Sequence, residues 1–136
     1  RTRSTREVKN GASQILELIG LFEKKDELAK SLTLPDRKRL ELAKALATQP
    51  KFLLLDEVNA GLNPAEIIQV LNIIRRIRDE WGVTFLVIEH LMSVIMNLSE
   101  RIIVLSYGEK IAEGKPDEVS KNQKVIEAYL GEEYVE

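Results

Sequence analysis

Two short stretches carry side chains that could do chemistry together. Phe52-Leu53-Leu54-Leu55-Asp56-Glu57 is an apolar run closed by two adjacent carboxylates. Val83-Thr84-Phe85-Leu86-Val87-Ile88-Glu89-His90 is a second apolar run, interrupted only by Thr84 and closed by a Glu-His pair. An Asp followed by a Glu at the end of an apolar strand suits metal-assisted phosphoryl transfer. The first carboxylate, Asp56, would hold Mg²⁺ directly or through water, and the second, Glu57, would position and polarise the attacking water. Ionised carboxylates are very costly to bury alone, so this pair needs a metal ion or water. His90 is the sole histidine, and a neutral imidazole there can bond a phosphate oxygen or the attacking water. The competing reading is that the acids are solvated groups at a strand end and the histidine a surface residue, because matches this short arise often by accident.

The surrounding elements must place these residues. Phe52 to Leu55 is too short for a stable helix and shows no alternation, so it reads as a parallel strand buried on both faces. Pro50 and the Asn59-Ala60-Gly61 turn bound it. A helix from about Pro64 to Trp81 follows, with Asn63 as N-cap, Pro64 at the first helical position, Glu66 closing the capping box and Gly82 as the stop. Ile67, Val70, Leu71, Ile74 and Ile77 form its sheet-facing stripe. Strand, helix and strand of these lengths make a right-handed βαβ unit. Asp56-Glu57 and Glu89-His90 then lie along one edge of the sheet, outside the carboxyl ends where α/β sheets bind ligands.

Upstream, Thr5 to Ile19 reads as an amphipathic helix with Val8, Ala12, Ile15 and Ile19 on one face, stopped by Gly20. A charged connection and a short helical piece over Glu27 to Lys30 lead to Ser31-Leu32-Thr33-Leu34-Pro35-Asp36. Thr33 reads as the N-cap of a helix reaching about Ala47, with Asp36 in its first turn and Leu40, Ala43, Leu46 and Ala47 as its stripe. Downstream, a helix over about Leu91 to Leu98 precedes a strand over Arg101 to Leu105. A turn at Tyr107-Gly108-Glu109 returns Lys110 to Glu113 as an antiparallel partner. Pro116 and Val125 open two short helical segments, the second carrying Ile126, Tyr129 and Leu130.

Composition narrows the classes. The 136 residues are 44% hydrophobic and 31% charged, with a net charge of −2. That suits a globular domain with a core of its own and gives no global basic excess for nucleic acid. The Arg37-Lys38-Arg39 cluster reads as a solvated helix face. No run approaches the roughly 20 apolar residues of a membrane span. Cysteine is absent, which excludes disulfide and thiol chemistry. Residue 1 is Arg rather than Met and no signal peptide follows, so the expectation is a chain that begins partway through a larger protein.

A nucleotide enzyme also needs a phosphate cradle, usually G-x-x-x-x-G-K-S/T between a strand and a helix. The nearest approach is Gly108 to Pro116. It has one residue too many between its glycines, a proline in place of the Mg²⁺-binding hydroxyl, and a hairpin instead of a helix start, so it is rejected.

At this point the residues resemble a family. Leu53-Leu54-Leu55-Asp56-Glu57 resembles the Walker B strand of ABC-type ATPases, and Asn59-Ala60-Gly61-Leu62-Asn63-Pro64 their D-loop. Ile88-Glu89-His90 is similar to their switch-histidine loop, and Arg39 to Ala47 to the helix after their signature motif. Arg101 to Gly114 resembles the pattern that closes their core. The ending Val125-Ile126-Glu127-Ala128-Tyr129-Leu130-Gly131 resembles the ATP-binding subunits of Liv-type branched-chain amino-acid transporters and their urea and amide relatives. These motifs occur in order and span nearly the whole chain.

The resemblance implies an α/β fold: the C-terminal part of a P-loop ABC ATPase core, a parallel sheet with flanking helices. Residues 1–49 would be part of the helical signature subdomain, and residues 50–136 the later part of the core with its C-terminal helices. It implies ATP and Mg²⁺ as cofactors of the complete domain, with Asp56 serving the metal, Glu57 as catalytic base and His90 sensing the γ-phosphate. Thr33, Asp36 and Asn63 fall at its nucleotide-binding positions. The implied partners are a second ATP-binding subunit and transmembrane permease subunits, with no nucleic acid, at the cytoplasmic face of the membrane as a peripheral protein. The implied function is ATP hydrolysis driving uptake of branched-chain amino acids or a related small solute.

Three departures qualify it. Leu32-Thr33-Leu34-Pro35-Asp36 stands where the family has a pattern close to L-S-G-G-Q. Leu34 and Pro35 replace both glycines, Pro35 offers no N–H, and Asp36 adds negative charge near a polyphosphate. The loop is either degenerate or a variant relying on other contacts, such as the Thr33 hydroxyl and the helix N-terminus. Val58 replaces a usual Pro. The Walker A and Gln-containing loops are absent, so this piece alone is expected to bind nucleotide poorly, to be inactive, and to expose sheet edges. Two other classes share some of these features: a non-transport ABC ATPase acting on nucleic acid or the ribosome, and a non-enzymatic α/β interaction module. A response-regulator receiver fits less well, because its phosphate-accepting Asp needs further acids and a Lys.

Overall fold

The computed structural model describes residues 4–129. They form two compact units, the first ending at Glu89 and the second beginning at His90.

In the first unit, α1 spans Thr5–Leu18. Ser4 caps it, and Glu7 reaches back to close a capping box. The apolar stripe is buried only in its second half. Ile15, Leu18 and Ile19 enter the core, whereas Val8 and Ala12 stay exposed. Two 3-10 turns, Phe22–Lys24 and Ala29–Ser31, take the place of the expected helical piece at Glu27 to Lys30. Helix α2 spans Leu34–Leu46 with Thr33 as its cap and Pro35 in its first turn, where a missing N–H costs nothing. Its buried residues are Asp36, Leu42, Ala43 and Leu46. Leu42 is thus inside, while Ala47 of the expected stripe is exposed.

Strand β1 spans Phe52–Asp56, α3 Pro64–Trp81 and β2 Thr84–Ile88. The two strands pair in parallel, Phe52 opposite Thr84 through to Asp56 opposite Ile88. The expected parallel pairing therefore holds, and the register brings the two strand ends to one edge. Gly82 closes α3 with φ 65°, a left-handed conformation that glycine adopts without strain. Ile19, Leu46, Ile74 and Ile77 are fully buried side chains of this unit.

The expectation that β1 is buried on both faces is corrected. Successive strand side chains alternate between faces, and one face of this sheet is open. Phe52 and Leu54 are 50% and 64% exposed, and Leu86 and Ile88 are 46% and 56% exposed. Leu55 is buried and Leu53, Phe85 and Val87 are half-buried. An uninterrupted apolar run tells of two faces that avoid water, but here the described residues cover only one.

In the second unit, α4 spans Met92–Leu98, β3 Ile102–Ser106 and β4 Glu109–Gly114. The last two pair antiparallel, with an irregularity between Val104 and Leu105. Short helices α5, Pro116–Val119, and α6, Gln123–Tyr129, follow. The core of this unit gathers Ile102, Val104, Val119 and Val125, and Tyr129 donates from its hydroxyl to the Leu105 carbonyl at 3.2 Å. Leu130 and Gly131, read as part of the chain ending, lie outside the described residues. Among the described residues, no helix is long and apolar enough to cross a membrane.

Candidate active site at the carboxyl edge of the parallel strands

The parallel register puts Asp56 level with Ile88, so Asp56, Glu57 and Glu89 share one edge of the first sheet. The Glu57 amide continues the ladder, donating to the Ile88 carbonyl at 2.9 Å. Asp56 and Glu57 are both exposed. Glu57 has φ 45°, a left-handed backbone unusual for a residue with a side chain. Gln49 and Tyr107 share this conformation, so at Glu57 it marks the tight turn at the strand end. From there the chain folds tightly. Ala60 N–H donates to the Glu57 carbonyl at 3.0 Å, and Leu62 N–H to the Asn59 carbonyl at 3.1 Å.

Asn59 is the buried polar side chain of this loop, 2% exposed, and its Nδ2 donates to Oε1 of Glu89 at 2.9 Å. Sequence reasoning passed over both residues in assigning roles. Neither sits at a position with a single-residue signature, and the bond joins residues 30 apart. His90 follows Glu89 directly in the chain, is exposed, and opens the second unit.

The remaining candidates lie at helix starts. Asn63 accepts from the Glu66 amide at 3.0 Å, and Glu66 accepts from the Asn63 amide at 2.8 Å. The Asn63 side chain is thus an N-cap, as its spacing indicated. Thr33 accepts from the Asp36 amide at 3.4 Å. Asp36, 7% exposed, does not face open solvent. Lys24 donates to it, and an Arg39 guanidinium nitrogen lies 3.8 Å away. Burial works against the charged carboxylate, but the Lys24 and Thr33 hydrogen bonds and the nearby Lys24 and Arg39 charges win. Asp36 is held below the usual carboxylate range. Lys24 is correspondingly raised, chiefly by its hydrogen bond to Asp36. Arg39 also donates to Gln69 of α3. The negative charge expected near a polyphosphate is therefore neutralised within the fold.

For a metal, the donor set is sparse and suits a hard cation that keeps most of its water. Among the described residues, no group of three or more His, Cys, Asp or Glu converges, so there is no all-protein cage. Exposed Asp56 offers one hard oxygen donor group at the sheet edge, and Mg²⁺ is commonly held by one or two carboxylates with water and substrate phosphates completing the shell.

Comparison with known proteins bears on the family and the fold. Residues 2–60 match the ABC transporter family model, and residues 109–135 match that of the branched-chain amino acid ATP-binding cassette transporter. The chain is 42% identical over 130 residues to the high-affinity branched-chain amino acid transport ATP-binding protein LivG of Salmonella typhimurium. It is 41% identical over 130 residues to BraF of Pseudomonas aeruginosa, described in the same words. Each match covers 96% of this chain and 51% of the relative, so the chain spans about half the length of the curated relatives it matches. Its fold superimposes on the ADP conformation of MJ1267, an ATP-binding cassette of an ABC transporter, with a TM-score of 0.83 and 31% identity. That match covers 96% of this chain and 52% of the other. The motifs in their order and these matches agree: the chain belongs to the ABC transporter family and has the α/β fold of an ATP-binding cassette.

Proposed function

We propose that this chain supplies the hydrolytic edge of an ATPase subunit that powers transport of branched-chain amino acids or a related small solute. The observation that carries the reading is the register of β1 and β2, which brings Asp56, Glu57 and Glu89 to one edge and leaves Asp56 and Glu57 open to solvent. In this reading the Asp56 carboxylate would hold Mg²⁺. The ion would neutralise charge on the phosphoryl oxygens. Glu57 accepts the proton of the attacking water, and His90 bonds the γ-phosphate.

Thr33, Asp36 and Asn63 enter by a different route. Their side chains are taken up in capping and ion pairing, so they contribute by fixing the starts of α2 and α3. The exposed amides of such starts favour anions. The sequence holds no G-x-x-x-x-G-K-S/T, so this 136-residue piece alone turns over little ATP. The working assembly pairs two ATP-binding subunits on a transmembrane permease, at the cytoplasmic face of the membrane.

The test is Glu57→Gln in the complete subunit, with Mg-ATP turnover and nucleotide binding measured on the same preparation. Loss of turnover with binding retained supports Glu57 as the base. Unchanged turnover excludes it and leaves the acids as surface groups.

A further inference from the structure

Two ties run from the loop after β1 to the end of β2. The first is backbone: Glu57 N–H to the Ile88 carbonyl, 2.9 Å. The second is the side-chain bond from Asn59 Nδ2 to Glu89 Oε1, 2.9 Å. Only Val58 separates the tied residues, and Glu57 itself is left-handed. The second tie adds a side-chain anchor two residues beyond Glu57, whose conformation costs a side-chain-bearing residue more than the right-handed or extended wells.

We propose that Asn59 is a positioning residue, whose bond to Glu89 locks the β1 loop onto the end of β2 and so holds Glu57 in its left-handed conformation. The inference rests on Glu57 being the base proposed above. Asn59 buries its amide almost completely, yet its Oδ1 meets no hydrogen-bond partner among the described residues. A buried polar group satisfied on one side only is an expensive way to stabilise a loop. A small apolar residue would fill the place at less cost, so the amide is kept for what its N–H holds. The bond also ends on the residue directly before His90.

The experiment uses the complete subunit with Asn59→Ala, Glu89→Ala, the double variant and Glu89→Gln, which keeps an acceptor oxygen. Hydrogen exchange at the Ala60 and Leu62 amides is measured without nucleotide, and kcat and KM with Mg-ATP. Either alanine variant should speed exchange about tenfold or more. It should lower kcat by about 10- to 100-fold while KM stays within about twofold. The double variant should be no worse than the poorer single one, and Glu89→Gln should keep most of the activity. Unchanged exchange in Asn59→Ala overturns the proposal. So do additive losses, or a Glu89→Gln variant as poor as Glu89→Ala, since either would mean that charge at 89 acts without Asn59. Absence of turnover in the unmodified subunit overturns the function proposed above, and the two failures are told apart because the exchange measurement needs no nucleotide.

Discussion

The start of α2 and the edge beyond β1 and β2 both carry acids at loop ends, and they hold them in opposite ways. At the α2 start, Asp36 is buried and charge-compensated by Lys24 and Arg39, with Thr33 capping the same turn. At the sheet edge, Asp56 and Glu57 face water, on a turn whose backbone is strained at Glu57. The first arrangement spends its polar groups on local order. The second leaves them exposed and carries conformational cost instead. An acid next to a recognisable motif is thus not evidence of a ligand until its partners are known.

The sharpest contrast comes from removing one acid from each region. Glu57→Gln should depress ATP turnover of the complete subunit by at least about 100-fold, a usual scale for loss of a general base, and leave the unfolding midpoint nearly unchanged. A drop in stability comparable to the drop in rate would erase the distinction between the regions.

Asp36→Asn should behave the other way, costing about 2 kcal/mol in denaturant unfolding at neutral pH, the scale of a buried hydrogen bond to a charged group. Asp36 has its folded pKa lowered, so its stabilisation is complete above the ordinary carboxylate value of about 4 and is lost as pH falls through the lower folded value. The gap between the two proteins should therefore close only in strong acid. A gap that stayed constant with pH would point to packing rather than charge.

Gly61→Ala probes where the two regions meet. Gly61 has φ 81°, and a Cβ there would sit 3.1 Å from the Leu34 side chain at the first turn of α2. Strain and crowding together predict a loss of about 1–2 kcal/mol. Shortening Leu34 to Ala in the same protein should recover only the crowding part, and full recovery would show that the backbone is not strained. Smaller still are the caps. Asn63→Ala should cost about 1 kcal/mol, and Thr33→Ala less, because its 3.4 Å bond is long. Equal losses at the two positions would contradict that ranking.

Local signals were the readable ones. The Asn63, Glu66 and Gly82 boundaries of α3, the Thr33 cap and the parallel pairing of β1 with β2 all follow from neighbours a few residues apart or from one strand-helix-strand spacing. What could not be read depends on partners far along the chain. Lys24 reaches Asp36 across 12 residues, and Asn59 reaches Glu89 across 30. Nothing in the sequence near Asp36 distinguishes a carboxylate that meets a lysine from one that meets a phosphate. The open face of β1 was hidden for a related reason. Phe52 and Leu54 have the composition of buried residues, and only the arrangement of other elements decides whether they are covered.

The left-handed Glu57 has a consequence for anyone improving this protein by selection. A residue with a side chain in that conformation costs about 1 kcal/mol more than in an ordinary well, and glycine is spared most of it. Glu57→Gly should therefore be neutral to slightly stabilising, by a few tenths of a kcal/mol after its greater freedom in the unfolded chain is counted. A screen that rewards only heat resistance or expression yield would drift toward discarding the carboxylate proposed above as the base. Thermal robustness and turnover are set against each other at this one backbone angle.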